Sequence, residues 1–309
     1  MHALASLLLT AGVAVAVPAS SSSSSAAAST PTAAAAAAAT VKCPIVFDGR
    51  VPPSLKLADF DASGSGSPFN PGYVKGNDLK WSDILLLPSV AAPSRFDAAV
   101  NSSGAKPFQA VEVTLSDKSI FQKQQGFRRA GLQFNGDTNT GSPGYTGIKT
   151  LHFSVQQDAQ RPLNLSHEYL NVWHESSDYS ADQIMFQTGT LIDQAGLPKN
   201  TWKVLSRTNK LLWSTPLVAA DWQNFALTLD FNKNTVQVYY SQGSDPLKSV
   251  LTATADDLTG AGEYQIGILK KPTGTSDVVN SGFQESGLKE GLIYGGIFIE
   301  DSANGCVSL

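Results

Sequence analysis

Segments in which apolar and polar residues alternate recur along the chain, and a period of two is typical of β-strands. Two of these segments lie within Thr228–Tyr240, which has the pattern of a hairpin with its turn in Asp230–Asn234. The alternating segments are Ala110–Leu115, Ile148–Val155, Glu168–Trp173, Asn224–Phe231, Thr235–Tyr240, Tyr264–Leu269 and Tyr294–Ile299. The sequence therefore predicts a protein built mainly from strands.

Helical periodicity is scarce, and Asp78–Leu87 is the best short candidate for a helix. A fold of alternating strands and helices would need amphipathic helices that the sequence lacks. The 267 residues after Lys42 show no internal repeat and no second linker, so we expect one domain over 42–309. These patterns favour an all-β fold, a jelly-roll sandwich of two antiparallel sheets.

The first 41 residues differ from the rest because they contain no Asp, Glu, Lys or Arg. Ala3–Val17 is an apolar run of the length found in secretory signal peptides, and cleavage after Ala16 or Ala19 would suit signal peptidase. A membrane anchor is the alternative, but the run is shorter than the roughly 20 residues that a spanning helix needs. We expect a signal peptide over 1–19, a Ser/Ala-rich low-complexity linker over 20–41, and a secreted, extracellular protein with no membrane contact after cleavage.

Composition narrows the possible partners. Only 16% of residues are charged, and 22 Lys and Arg face 26 Asp and Glu, for a formal net charge of −4. A nucleic-acid-binding protein would show a basic surplus, so no nucleic-acid partner is expected. A polysaccharide lyase that acts on an anionic polymer would need a basic cleft, which this charge balance does not favour.

The cysteines and the glycosylation sequons depend on secretion. In an oxidising compartment Cys43 and Cys306 would form one disulfide between the two ends of the domain, and the alternative is two independent buried thiols. Asn101 and Asn164 each begin a formal acceptor sequence for N-glycosylation.

Three of the four histidines fall between residues 152 and 174, where polar and aromatic residues are concentrated. Strand periodicity sorts 167–175 into two faces. We expect one face to hold His167, Tyr169, Asn171, Trp173 and Glu175, and the other to hold Glu168, Leu170, Val172 and His174. The first face combines aromatic rings with hydrogen-bonding groups, as a sugar-binding surface requires, although a solvent-exposed outer face would show the same mixture.

Glu168 is unusual because its predicted face is otherwise mostly apolar. A carboxylate in such a place is either ion-paired or has its pKa raised by desolvation, and a raised pKa suits a general acid. The sequence leaves these two possibilities open.

A second polar strand is predicted at Phe127–Gln133, with Arg129, Gly131 and Gln133 on one face. Arg129 would hold a carboxylate or a pair of hydroxyls through its planar guanidinium, and a structural ion pair is the alternative. A glycine within a strand weakens it and often marks the close approach of a ligand.

Other catalytic classes lack their motifs. The chain has no His-Glu-x-x-His pattern, no Gly-x-Ser-x-Gly turn and no phosphate-binding loop, so no metal and no cofactor are expected. We assign four further aspartates to polar loops, and their spacing matches no known calcium loop: Asp137, Asp158, Asp178 and Asp182.

Eight segments in order resemble one family of secreted fungal enzymes, the catalytic domain of glycoside hydrolase family 131. These segments are Cys43–Pro52, Tyr73–Gly76, Trp81–Ile84, Gly126–Ala130, Lys149–Ser154, Leu163–Tyr169, Gln265–Pro272 and Tyr294–Asp301. The resemblance spans essentially 43–309. It implies a jelly roll with an open cleft on the concave sheet.

The resemblance also implies a function, namely hydrolysis of β-glucans with β-1,3, β-1,6 or β-1,4 linkages, with inversion and without an organic cofactor. Glu168 matches the family's His-Glu-Tyr motif, so we expect it to be catalytic, with His152 and His167 tuning or orienting the carboxylates. Five residues are expected to bind substrate: Arg129, Gln133, Tyr169, Trp173 and Glu175. We expect a monomer whose partner is a β-glucan polysaccharide or oligosaccharide.

Gly131 departs from the family pattern, in which the Arg-Arg-Ala segment is followed by a catalytic Glu. Glycine has no group that can donate or accept a proton, and the loss of one catalytic carboxylate should reduce the rate by orders of magnitude while binding persists. Two alternatives follow. Either another carboxylate, such as Glu112 or Glu175, takes its place, or the protein is a catalytically impaired homologue that binds β-glucan.

Overall fold

The computed structural model describes residues 39–98 and 108–309. These residues form strands joined by turns and short helices. The strands are β1 (Ile45–Asp48), β2 (Leu85–Leu86), β3 (Val111–Leu115), β4 (Arg128–Leu132), β5 (Ile148–Gln157), β6 (Glu168–Glu175), β7 (Asp182–Gly189), β8 (Thr201–Ser206), β9 (Leu211–Pro216), β10 (Gln223–Asp230), β11 (Thr235–Gln242), β12 (Lys248–Ala255), β13 (Glu263–Lys270) and β14 (Glu290–Asp301). The helices are α1 (Trp81–Ile84) and the 3₁₀ turns Leu57–Asp61, Pro143–Tyr145, Ile192–Gln194 and Ala303–Gly305.

The strands form two antiparallel sheets that pack as a sandwich. The larger sheet has the order β12-β11-β10-β5-β14-β3-β2, and β1 also pairs with β14. The smaller sheet has the order β4-β13-β6-β7-β8-β9. This arrangement confirms the predicted all-β jelly-roll class.

The main apolar core lies between the two sheets and takes alternate residues from each strand. On β13 the core residues are Tyr264, Ile266 and Ile268, and all three are almost fully buried. Phe186 of the smaller sheet joins the layers, because its ring centroid lies 4.7 Å from that of Phe225 in the larger sheet. The intervening residues of the smaller sheet point away from this core, and they build the candidate site.

All seven alternating segments lie wholly or mostly within strands of the structure. The predicted hairpin is also present, since β10 and β11 pair from Gln223↔Gln242 to Asp230↔Thr235. The helix predicted at Asp78–Leu87 is shorter than expected, because Leu85 and Leu86 adopt an extended conformation and pair with β3.

Strand β7 corrects a sequence-based assignment. Asp182, which we placed in a polar loop, is the first residue of β7 and pairs with Glu175 of β6. The polar start of this strand and its three-residue apolar centre (Ile184–Phe186) hide the alternation.

The ends of the described domain are joined as predicted. Cys43 and Cys306 form a disulfide across 263 residues of sequence. Ala39 is buried against the outer face of the larger sheet, so packed residues begin slightly before residue 42. The expected signal peptide and most of the linker lie outside the described residues, and within the described part no helix is long and apolar enough to cross a membrane.

A β-bulge in β6 overturns the two faces predicted for 167–175. The pairing of β6 with β7 shifts between Leu170 and Val172, so Asn171 is an extra residue. Tyr169, Val172 and His174 therefore point into the sandwich, whereas Leu170 and Trp173 share the outer side. A period of two does not predict such an insertion.

Candidate active site

A cleft of about 680 Å³ lies on the face of the smaller sheet that points away from the larger sheet. Strands β4, β6, β7 and β13 supply its floor, and the loops around Tyr73, Phe121, Tyr179 and Val278 supply its walls. The cleft is therefore formed by one sheet and the loops at its edges.

Part of the floor is apolar and aromatic. Leu170, Trp173 and Leu269 pack together there in a cluster that also contains Phe127. The guanidinium of Arg129 lies 5.9 Å from the Trp173 ring centroid and 5.8 Å from that of Phe121, within the range of cation–π contacts. Two of the expected substrate-binding residues, Arg129 and Trp173, thus line the cleft side by side.

Three carboxylates form a row across the floor, which we call the carboxylate row: Glu263, Glu175 and Asp182. Glu263 of β13 is the register partner of Glu175, and Glu175 is the register partner of Asp182 of β7. All three line the cleft. Adjacent strands are about 4.8 Å apart, so like charges accumulate here at close spacing.

The members of the carboxylate row differ in their hydrogen-bond donors. Glu263 accepts from the Tyr73 hydroxyl and, at 2.5 Å, from Gln133 Nε2. Glu175 accepts from Gln265 Nε2. Among the described residues, none donates a hydrogen bond to the side chain of Asp182.

Burial raises the pKa of each member of the row above its usual value. For Asp182 the desolvation is reinforced by repulsion from Glu175, and the pKa reaches about 7 although Lys271 and Arg129 oppose the shift. For Glu263 the donors Tyr73 and Gln133 counteract desolvation. The row therefore holds a proton near neutral pH, and Asp182 is the member best suited to carry it.

Gly131 lies on β4, next to Gln265 and Trp173. A Cβ at this position would be 3.2 Å from Gln265 Oε1 and 3.8 Å from the Trp173 ring. Gln265 in turn accepts from Arg129 Nη2 at 3.1 Å and donates to Glu175. A Cβ at position 131 would thus point toward residues of the cleft, as the predicted strand face requires, and only the flexible Gln265 amide would have to move to admit it.

Glu168 is not among the residues that line the cleft. It is 6% exposed, and its oxygens contact Lys271 Nζ at 2.5 Å, the Ile192 amide at 2.7 Å and Gln187 Nε2 at 3.3 Å. Of the two possibilities left open by the sequence, the structure shows the ion pair. Glu168 reaches the cleft only through Lys271, which does line it.

His167 and Tyr169 belong to a buried polar cluster next to Glu168. His167 contacts the Lys271 carbonyl through Nδ1 at 2.8 Å and Glu285 through Nε2 at 3.0 Å. Tyr169 points into the core and donates to Glu290 at 2.8 Å, so it does not offer the cleft the sugar contact that we expected. The bulge at Asn171 is the reason.

His152 lies on the larger sheet, far from the cleft residues of the smaller one. Its ring stacks on Phe298 with a centroid distance of 4.3 Å, and its Nε2 lies 2.9 Å from Glu300. The alternative carboxylate Glu112 is also on the larger sheet and is held by two nitrogens of Arg161. The structure brings neither residue to the cleft.

Asn164 and Asn101 are the two predicted glycosylation positions. Asn164 is exposed and its side chain contacts Glu285 and Ser166. Asn101 lies outside the described residues. Within 39–98 and 108–309, no group of three or more His, Cys, Asp or Glu side chains is arranged to hold a metal ion.

Sequence reasoning missed several residues of the cleft. They are Tyr73, Tyr179, Asp182, Glu263, Gln265 and Lys271. The alternation of β13 carried a usable signal, because Glu263 and Gln265 alternate with the core residues of the strand, and Lys271 directly follows it. Tyr73 and Tyr179 lie in loops, where no periodicity marks a side chain as facing a cleft.

Known structures share this fold. The catalytic domain of a family 131 β-glucanase from Podospora anserina aligns with a TM-score of 0.65 and 22% identity, covering 85% of this chain and 97% of that one. The catalytic domain of a family 131 protein from Coprinopsis cinerea aligns with a TM-score of 0.62 and 20% identity, covering 85% and 100%. At this level of identity the likeness shows the fold alone.

The sequence itself decides the family. No protein of curated function matches the chain. The family described as the glycoside hydrolase 131 catalytic N-terminal domain matches residues 45–305, which is most of the chain. The chain belongs to glycoside hydrolase family 131.

Proposed function

We propose that this protein is a secreted, monomeric enzyme that hydrolyses β-glucans in the cleft of the smaller sheet. The family makes it a glycoside hydrolase, and the β-glucanase from Podospora anserina suggests the substrate. The linkages included in the proposal are β-1,3, β-1,6 and β-1,4.

The observation that carries the proposal is the combination of surfaces within one cleft. Tyr179 at the rim offers an exposed aromatic ring to a sugar, and Trp173 forms part of the floor. Arg129, Gln265 and the carboxylate row offer hydrogen-bonding groups to the sugar hydroxyls. Carboxyl groups with raised pKa values in such a place are what general acid–base catalysis of glycoside cleavage requires.

In an inverting reaction one carboxylic acid protonates the leaving oxygen while a carboxylate activates a water on the opposite side of the sugar. We propose this mechanism for the cleft. Glu168 contributes by holding Lys271, because Glu168 itself does not line the cleft whereas Lys271 does.

Gly131 supports the second candidate function, which is binding of β-glucan without hydrolysis. The cleft and its aromatic floor do not depend on a side chain at position 131. If the carboxylate row does not replace the absent group, the protein would retain glucan binding alone.

The test is release of reducing ends from laminarin, lichenan, pustulan and a soluble cellulose derivative, with binding to each glucan measured in parallel. The natural protein is compared with Gly131→Glu, whose Cβ would lie 3.2 Å from Gln265 Oε1, so the Gln265 amide has to shift by a few tenths of an ångström. Thermal unfolding of both proteins is the control that they are equally folded.

Hydrolysis by the natural protein supports the proposal. Binding without hydrolysis by the natural protein, together with activity in Gly131→Glu, supports the glucan-binding alternative. If both proteins fail to bind and to hydrolyse every glucan, both candidate functions are contradicted.

A further inference from the structure

The two ends of the carboxylate row lie on strands whose separation permits a catalytic pair. Asp182 and Glu263 are separated by two strand spacings, with Glu175 between them. Each spacing is about 4.8 Å, so the end residues have backbones about 10 Å apart. Carboxyl groups of inverting glycosidases are roughly 6.5–9.5 Å apart, a range that the two end side chains can reach.

The two ends are chemically different. Glu263 is fixed by donors from Tyr73 and Gln133, and such donors favour an ionised, oriented carboxylate. Asp182 has no donor among the described residues and stands beside the negative charge of Glu175, which favours a protonated carboxyl group. The surroundings therefore divide the roles of acid and base between them.

A second observation marks the adjacent floor as a place for a ligand. Arg129 is 92% buried, lines the cleft, and its Nε has no hydrogen-bond partner among the described residues. A buried donor that is left unpaired costs free energy unless a ligand or water completes it. This donor lies close to Trp173 and Gln265, next to the row.

We propose that Asp182 is the general acid and Glu263 the general base of this enzyme, and that this pair replaces the carboxylate absent at Gly131. The inference rests on the proposed hydrolysis of β-glucan.

In the reaction the Asp182 proton passes to the glycosidic oxygen as the bond from that oxygen to the anomeric carbon breaks. A water oxygen bonds to the anomeric carbon from the other side, and Glu263 takes the proton that this water loses. Exchange with solvent then restores the proton on Asp182 and removes the one on Glu263. Glu175 keeps Asp182 protonated by repulsion and is a positioning residue.

Several charged groups set the pH dependence of the acid. Asp182 is influenced by Glu175 on β6, by Arg129 on β4 and by Lys271 beyond β13, while Glu263 and the phenol of Tyr179 line the same cleft. Because the acid must be protonated, activity is lost as pH rises through the pKa of Asp182, which is about 7.

The test compares two substrates in Asp182→Asn, Glu263→Gln and the matched control Asp245→Asn, whose side chain is exposed and lies outside the cleft. One substrate is laminarin, whose leaving group needs a proton. The other is a 2,4-dinitrophenyl β-laminaribioside, whose leaving group does not need a proton.

Removal of a general acid should lower kcat on laminarin about 10²–10⁴-fold and leave kcat on the activated substrate within about tenfold of that of the natural protein. Glu263→Gln should lower both rates, and added azide should restore cleavage of the activated substrate.

Each result bears on a separate claim. Inactivity of the natural protein on both substrates overturns the proposed function itself. The role of Asp182 alone is overturned if the natural protein is active and the Asp182→Asn variant is either unchanged or loses the same factor of activity on both substrates. A Glu263→Gln variant that stays active on both substrates overturns the role of Glu263.

Discussion

At the residue scale, two of the aromatic side chains that line the cleft, Trp173 and Tyr179, differ in their packing. Trp173 is 2% exposed and packs in the apolar floor, so its removal would also open a cavity. Tyr179 is 63% exposed at the rim, and its backbone has a positive φ of 58°. Replacement of Tyr179 therefore tests sugar binding with little effect on packing.

We expect Tyr179→Ala to raise the KM for a soluble β-glucan oligosaccharide about five- to tenfold, which corresponds to about 1 kcal/mol of lost aromatic contact. The thermal midpoint should stay nearly unchanged. Phe283→Ala is the matched control, because Phe283 is 61% exposed but does not line the cleft. Equal effects of the two variants on KM would show that Tyr179 does not contact the sugar.

Glu168 offers a second prediction at this scale, through Lys271. In Glu168→Gln the charge of Lys271 loses its 2.5 Å partner and acts more strongly on Asp182, whose pKa Lys271 already lowers. We expect the alkaline limb of the pH–rate profile to move to lower pH. Glu112→Gln, which removes a buried ion pair on the larger sheet, should leave that limb in place. An unmoved limb in Glu168→Gln would show that the ion pair does not influence the acid.

At the element scale, the bulge at Asn171 decides which side chains of β6 face the cleft. Alternation was sufficient to predict β5, β10 and β14, because apolar core residues recur at every second position along most of each strand, as Leu151, Phe153 and Val155 do in β5. It could not reveal the inserted residue, so Tyr169 was assigned to the wrong face. The carboxylate row was also hidden, since Glu263 and Glu175 are paired only by contact between strands that are distant in sequence.

The extra residue itself yields a prediction. Asn171 is fully buried, and neither atom of its amide has a hydrogen-bond partner among the described residues. Asn224, equally buried, is bonded to Ser154, Ser241 and Gly243. We expect Asn171→Ala to leave the free energy of unfolding almost unchanged, whereas Asn224→Ala should lower it by about 1–3 kcal/mol. Urea unfolding measures both, and a larger loss in Asn171→Ala would contradict the account of the bulge.

At the scale of the whole molecule, the two sheets of the sandwich differ in role, because only the smaller sheet forms the cleft. The larger sheet holds His152, Glu112 and, beyond its outer face, the packed N-terminal residues, while the smaller sheet holds the cleft. The alternating segments were enough to predict the class of fold, and the two cysteines were enough to predict the disulfide. The position of the site required the pairing of β4, β13, β6 and β7, which local sequence does not encode.

Removal of the disulfide tests this separation. The bridge closes 263 residues, so Cys43→Ser with Cys306→Ser should lower the free energy of unfolding by about 2–5 kcal/mol. Because the bridge lies away from the cleft, kcat and KM should be unchanged at temperatures where the variant remains folded. A loss of activity in the folded variant would show that the cleft depends on the joined ends.

The central claim is that the cleft hydrolyses β-glucan by a single displacement. Its most direct test is to identify the anomeric form of the first product by proton NMR during cleavage of a laminarin oligosaccharide. A water that attacks opposite the leaving group inverts the anomeric carbon, so new reducing ends should appear first as the α-anomer and then equilibrate. Reducing ends that appear first as the β-anomer, or no reducing ends at all, would contradict the account.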